Sequence, residues 1–135
     1  MSHIIALQGR ASSGKTSTLL QVFSDLQAKY PNAMVQILAG RTDLKVLMHG
    51  VNGKVVGIET QGDPNSRLKE SLSDFLAAKC DIIFCACRTS GMTVTWVNAH
   101  SAKHKVQFVP QNRVASGHAK ANAAMAAHLI KVAGL

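Results

Sequence analysis

Eight consecutive residues, Gly9-Arg10-Ala11-Ser12-Ser13-Gly14-Lys15-Thr16, set two glycines, a lysine and a hydroxyl in the order G-x-x-x-x-G-K-T. The glycines let the backbone turn tightly and approach an anion, so that successive N–H groups can form a cradle for phosphate. A helix starting near Lys15 would add the positive end of its dipole. The Lys15 ammonium can bridge neighbouring phosphates, and the Thr16 hydroxyl can hold Mg²⁺. Gly9, Arg10, Ala11, Ser12, Ser13, Gly14, Lys15, Thr16 and Ser17 are therefore the candidate nucleotide-binding residues. The bland alternative is a glycine-rich strand-to-helix turn. The flanks decide between the two: an apolar run over 3–7 precedes the segment, and a helical pattern follows it to about residue 30.

On these residues the chain resembles the P-loop NTPase superfamily, whose Walker A motif is matched in full over 9–16. The match is at motif level for residues 4–20, is architectural elsewhere, and points to no narrower family. It implies a nucleotide ligand with Mg²⁺ as cofactor, and an acid near the end of a neighbouring strand that helps to hold the metal.

Only seven residues are acidic, so that acid can be sought by elimination. Ligands of open α/β sheets gather at the carboxyl ends of strands. Asp25, Glu70 and Asp74 fall on expected helices, and Asp81 begins its strand, at the wrong end. Glu59 and Asp63, after a strand over 54–59, and Asp43 in a loop remain. Glu59 is the first candidate, with Thr16, for the metal, or for orienting water; Asp63 is the second. Their alternative roles are a solvated turn and, for Asp63-Pro64, a helix start. Glu59-Thr60-Gln61-Gly62 resembles the D-x-x-G element of GTPases, but with Glu for Asp. Thr42-Asp43-Leu44-Lys45 has the wrong order for the guanine-reading motif, so ATP is expected rather than GTP.

Arg88 follows an apolar run over 81–87 and is expected at the same sheet edge, where it could contact the transferred phosphate; the alternative is a surface arginine. The candidate catalytic residues are thus Lys15, Glu59, Asp63 and Arg88. Arg10, Arg41 and Arg113 are weaker candidates for the same phosphate cluster. His100 and His104, four apart, would share a helical face but lack further zinc ligands. Cys80, Cys85 and Cys87 form no spaced framework and read as core residues of a reducing compartment.

Fifteen Lys and Arg against seven acids give a net charge of +8, which fits either nucleic acid or a phosphate-gathering site. Aromatic residues make up only 4% of the chain, which argues against a base-stacking platform. No apolar run approaches the ~20 residues of a membrane-spanning helix. With a motif-bearing element this early, a secretory signal is not expected, and the chain is placed in the cytoplasm.

Positioning these residues requires strands over 3–7, 34–39, 44–49, 54–59, 81–87 and 106–109. Helices are expected over 16–30, 65–79, 93–103 and 116–132. The alternation predicts an α/β fold in one domain, 1–135: a three-layer sandwich on a mostly parallel sheet, with the phosphate loop after the first strand and an antiparallel hairpin over 44–59. The expected function is Mg²⁺-dependent ATP hydrolysis or phosphoryl transfer. One alternative is a nucleotide-gated interaction module with a protein or nucleic-acid partner and little turnover; another is a small-molecule or nucleotide kinase acting on a phosphorylated acceptor. The oligomeric state is left open.

Overall fold

The computed structural model describes residues 2–11, 13–40, 43–111 and 117–135. In chain order the elements are β1 (His3–Gln8), α1 (Lys15–Lys29), β2 (Met34–Ala39), β3 (Lys45–Val51), β4 (Lys54–Glu59), α2 (Leu68–Ala77), β5 (Ile82–Cys87), α3 (Met92–Asn98), β6 (Lys105–Pro110) and α4 (His118–Val132). The strands form one sheet in the order β2-β3-β4-β5-β1-β6. β1 pairs in parallel with β5 and β6, and β4 with β5. β3 runs antiparallel to both β2 and β4.

This corrects the expectation of a three-layer sandwich on a mostly parallel sheet. The sheet is mixed: two of its pairings are antiparallel, and the helical layers stop short of the β2 edge. Short links explain the antiparallel part. β3 turns into β4 at Asn52-Gly53 and β2 reaches β3 within a few residues, whereas parallel neighbours need a crossover of a dozen residues or more. The apolar runs alone do not reveal strand direction. At the β2 edge Met34 is 73% and Ile37 62% exposed, so no described helix covers that strand.

The two faces of the sheet hold separate cores. Alternation along β1 sends Ile5 and Leu7 to one face and Ile4 and Ala6 to the other. On the first face, Leu19, Val22 and Leu26 of α1, at three- and four-residue spacing, pack with Met125, Ala126 and Leu129 of α4. On the second, Leu68, Leu72 and Phe75 of α2 and Val97 of α3 cover Ile83, Cys85 and Cys87. Each large side chain so buried stabilises the fold by about 1.5–3 kcal/mol. β5 is buried along its whole length, which accounts for its continuous apolar sequence.

All three cysteines are free and buried. Burial pushes the Cys80 thiol up to about 12 and the Cys87 thiol to about 11, and raises the Cys85 thiol as well, so they pack as inert thiols. α3 ends at Asn98, earlier than expected, which leaves His100 and His104 in the turns before β6 rather than on one helical face. Their rings meet edge-on at 6.4 Å, and His104 Nδ1 accepts a hydrogen bond from the Ser2 N–H. No described helix is long and apolar enough to cross a membrane.

Candidate functional site

Because β1, β4, β5 and β6 share one direction, their carboxyl ends open on one edge of the sheet, where Gly9, Thr60, Arg88 and Gln111 follow the last strand residues. A cavity of about 650 Å³ lies at this edge, within the size range of small-molecule sites. Its walls are the loop before α1 with the first turn of that helix, the segment from Thr60 to Ser66, Asp43 and Arg88.

Gly14 caps α1 in the left-handed conformation (φ 89°, ψ 11°), which only glycine adopts without strain. No described side chain caps this terminus, and the first turn holds no acid. Its free N–H groups and dipole are thus available to an anion. The Lys15 ammonium folds back over the loop and donates to the Gly9 carbonyl at 2.7 Å and the Arg10 carbonyl at 2.6 Å. Burial lowers its pKa, and nearby Arg88 lowers it further, with Asp63 acting in opposition. The Lys15 ammonium is thus a desolvated cation with a second cation, Arg88, beside it. Thr16 Oγ1 reaches the Thr60 carbonyl at 3.5 Å, linking the loop to the end of β4.

Across the cavity, the Arg88 guanidinium places Nε and Nη2 on Asp63 Oδ1 at 3.0 and 2.8 Å. Asp63 is 65% exposed and Arg88 33%, so water screens the pair and it is readily exchanged. Asp43, also in the wall, accepts from Thr60 Oγ1 and Gln61 Nε2, each at 3.4 Å.

Glu59 is placed differently. It is fully buried and does not line the cavity. Its Oε1 accepts from Arg67 Nε at 2.7 Å and Ser71 Oγ at 2.6 Å, and its Oε2 from Arg67 Nη2 and the Gln61 N–H, both at 3.1 Å. Arg67 also donates to the Asp43 carbonyl at 3.2 Å, so the ion pair braces the cavity wall from behind.

Of the sequence candidates, Ala11, Ser13, Gly14, Lys15, Thr16, Ser17, Asp63 and Arg88 therefore meet at one cavity. Gly9 lies behind the loop and its carbonyl holds Lys15. The Arg10 side chain is exposed and not part of the wall. Ser12, Arg41 and Arg113 lie outside the described residues. Asp81 sits at the opposite end of the sheet, accepting from the Val55 N–H at 2.9 Å.

Sequence reasoning missed a polar group behind the loop. Gln111 Nε2 donates to the Ser13 carbonyl and to Thr18 Oγ1, both at 3.1 Å, and lies 3.3 Å from Asn122 Oδ1. Thr18 Oγ1 in turn donates to Asn122 Oδ1 at 3.2 Å. Gln111 Oε1 is buried without a hydrogen-bond partner among the described residues, a condition that costs about 1–3 kcal/mol. Gln111 could have been singled out by its place just after β6; nothing in the helical pattern marks Asn122.

Gly62 closes the cavity floor. A Cβ there would lie 2.7 Å from the Ala86 carbonyl carbon and oxygen, which belong to rigid β5. Gly62→Ala is expected to lift the segment from Thr60 to Ser66 off the sheet, at about 1–3 kcal/mol. Thermal unfolding should show the loss, with weakened ligand binding at the cavity; an unchanged melting temperature would contradict this close packing.

Comparison of the chain with protein families, curated proteins and solved structures found no match.

Proposed function

We propose that the chain is an ATP-binding P-loop NTPase of the cytoplasm that uses Mg²⁺ to hydrolyse ATP or to pass its γ-phosphoryl group to an acceptor. The observation that carries this reading is the convergence on one cavity of Lys15, the uncapped start of α1, Thr16, Asp63 and Arg88. Each group suits a polyphosphate: backbone N–H groups and cations for its oxygens, a hydroxyl and a carboxylate for its metal.

The donors fit Mg²⁺, which takes one or two carboxylates and fills its remaining positions with phosphate oxygens and water. Among the described residues no three His, Cys, Asp or Glu side chains converge, so a cage built from protein alone is not the arrangement here. Thr16 and Asp63 would hold the ion, and Mg²⁺ would neutralise charge developing on the phosphate oxygens. Asp63 is favoured over Glu59 because both Glu59 oxygens are already engaged. A γ-phosphate can take Arg88 from Asp63, leaving that carboxylate free. ATP is preferred to GTP because the guanine-reading motif is missing from the sequence.

Steady-state phosphate release by purified protein with Mg²⁺ and ATP tests the reading; an absence of both turnover and binding would overturn it. Asp63→Asn is expected to cut the gain in ATP affinity conferred by Mg²⁺ about tenfold or more. Affinity without Mg²⁺ should hold or rise, since Arg88 is released. Calorimetric titration with and without the metal reads both, and an unchanged Mg²⁺ effect would remove Asp63 from the metal's partners.

One observation favours a second reading, a nucleotide-gated interaction module with little turnover. With Glu59 locked to Arg67, Asp43 and Asp63 are the described carboxylates in the cavity wall, and neither is held by a strand. Tight ATP binding without phosphate release would select it.

A further inference from the structure

We infer that Gln111, backed by Asn122, is a positioning residue that aims the Gly14 N–H of the loop into the cavity. The inference rests on the phosphate-binding reading of that loop. A peptide group is planar and trans, so its carbonyl and the following N–H point in opposite directions. Gln111 Nε2 grips the Ser13 carbonyl at 3.1 Å from behind. The Gly14 N–H, on the far side of the same plane, is thereby held away from Gln111, and Gly14 itself lines the cavity.

Three further observations single out this contact. The amide orientation is dictated by its surroundings, because the Ser13 carbonyl cannot donate and only the nitrogen end can face it. The oxygen end is left buried without a partner among the described residues, so the side chain holds its place through the nitrogen. Gly14 leaves the room this needs: a Cβ there would lie 3.2 Å from Gln111 Nε2 and 3.1 Å from Asn122 Oδ1. Asn122 Oδ1, accepting from Thr18 Oγ1, ties the group to both α1 and α4. The orientation of one peptide in the loop thus depends on β6 and α4, which otherwise contribute nothing described to the cavity wall.

The test compares ATP with inorganic tripolyphosphate, which has the phosphates and no base. Gln111→Met keeps the side-chain length and removes the donor. Its affinity for both ligands is expected to fall by the same factor, about tenfold, as measured by titration calorimetry on protein whose folding is verified by thermal unfolding. Unchanged tripolyphosphate affinity in folded Gln111→Met would overturn the inference. A loss confined to ATP would overturn it as well, by assigning Gln111 to the base. Should that variant fail to fold, Asn122→Ala supplies the same comparison, with a smaller parallel loss expected and unchanged affinities contradicting it. Wild-type protein that binds neither ligand would overturn the phosphate-loop reading itself, and the positioning role with it.

Discussion

Replacing Lys15 with alanine is expected to weaken ATP binding by about thirtyfold or more while leaving the fold in place. The side chain is buried at the cavity, and in the free protein its ammonium is held by the Gly9 and Arg10 carbonyls. A phosphate offers that ammonium a full negative charge in surroundings that already disfavour it, and a charge-assisted hydrogen bond of this kind contributes about 1.5–3 kcal/mol. The fold should tolerate the change, because alanine is the better helix former at the start of α1 and the loop carbonyls can turn to water. Titration calorimetry gives the affinity, and thermal unfolding gives the control. Retained affinity in a folded variant would remove the lysine, and with it the phosphate reading.

Glu59→Gln is expected to destabilise the protein by about 3 kcal/mol, the effect of removing one partner from a buried ion pair. The amide would turn a donor toward the Arg67 guanidinium, which is three-quarters buried and has only this carboxylate as its ionic partner among the described residues. At this chain length the loss corresponds to a melting temperature lower by about 10 °C. Replacing both partners, Glu59→Leu with Arg67→Leu, should recover most of that loss, since a matched apolar pair leaves no charge uncompensated. A Glu59→Gln variant of unchanged stability that lost its response to Mg²⁺ would return Glu59 to the metal.

The contrast between Lys15 and Glu59 marks how far the site was legible in the sequence. The placement of Gly14, Lys15 and Thr16 was readable because the constraints on it are local: a glycine where φ must be positive, and a lysine and hydroxyl at the start of a helix. Arg88 and Asp63 were readable because residues just beyond strand ends reach one edge. Parity turns Glu59 away from the cavity. Along β4, Val56 and Ile58 pack on the face covered by α1 and α4, while Val55 packs toward α2 and α3. A period of two therefore sends Glu59 toward α2, where Ser71 and Arg67 receive it, and leaves Thr60 to face the cavity. The alternation of strands and helices marked out the elements. The turn residues marked the antiparallel hairpin of β3 and β4, but the antiparallel pairing of β2 with β3 was not visible, because apolar runs of five or six residues fit either strand direction. Gln111 and Asn122 come together only through the packing of a strand end against a helix, which leaves no periodic signature.

The order of strands has a consequence for how the protein matures. β1 precedes the other strands described, yet both of its neighbours lie far downstream of it: β5 spans Ile82–Cys87 and β6 spans Lys105–Pro110. During synthesis the glycine-rich loop is made before β5 and β6, and so stays without its flanking strands until both have followed. Its backing from Gln111 and Asn122 follows after both strands. Contacts this distant along the chain form late in folding, after a large loss of chain entropy. On the proposed reading, capture of nucleotide at the cavity therefore needs β6 in place, and nascent chains that stop before it should show none.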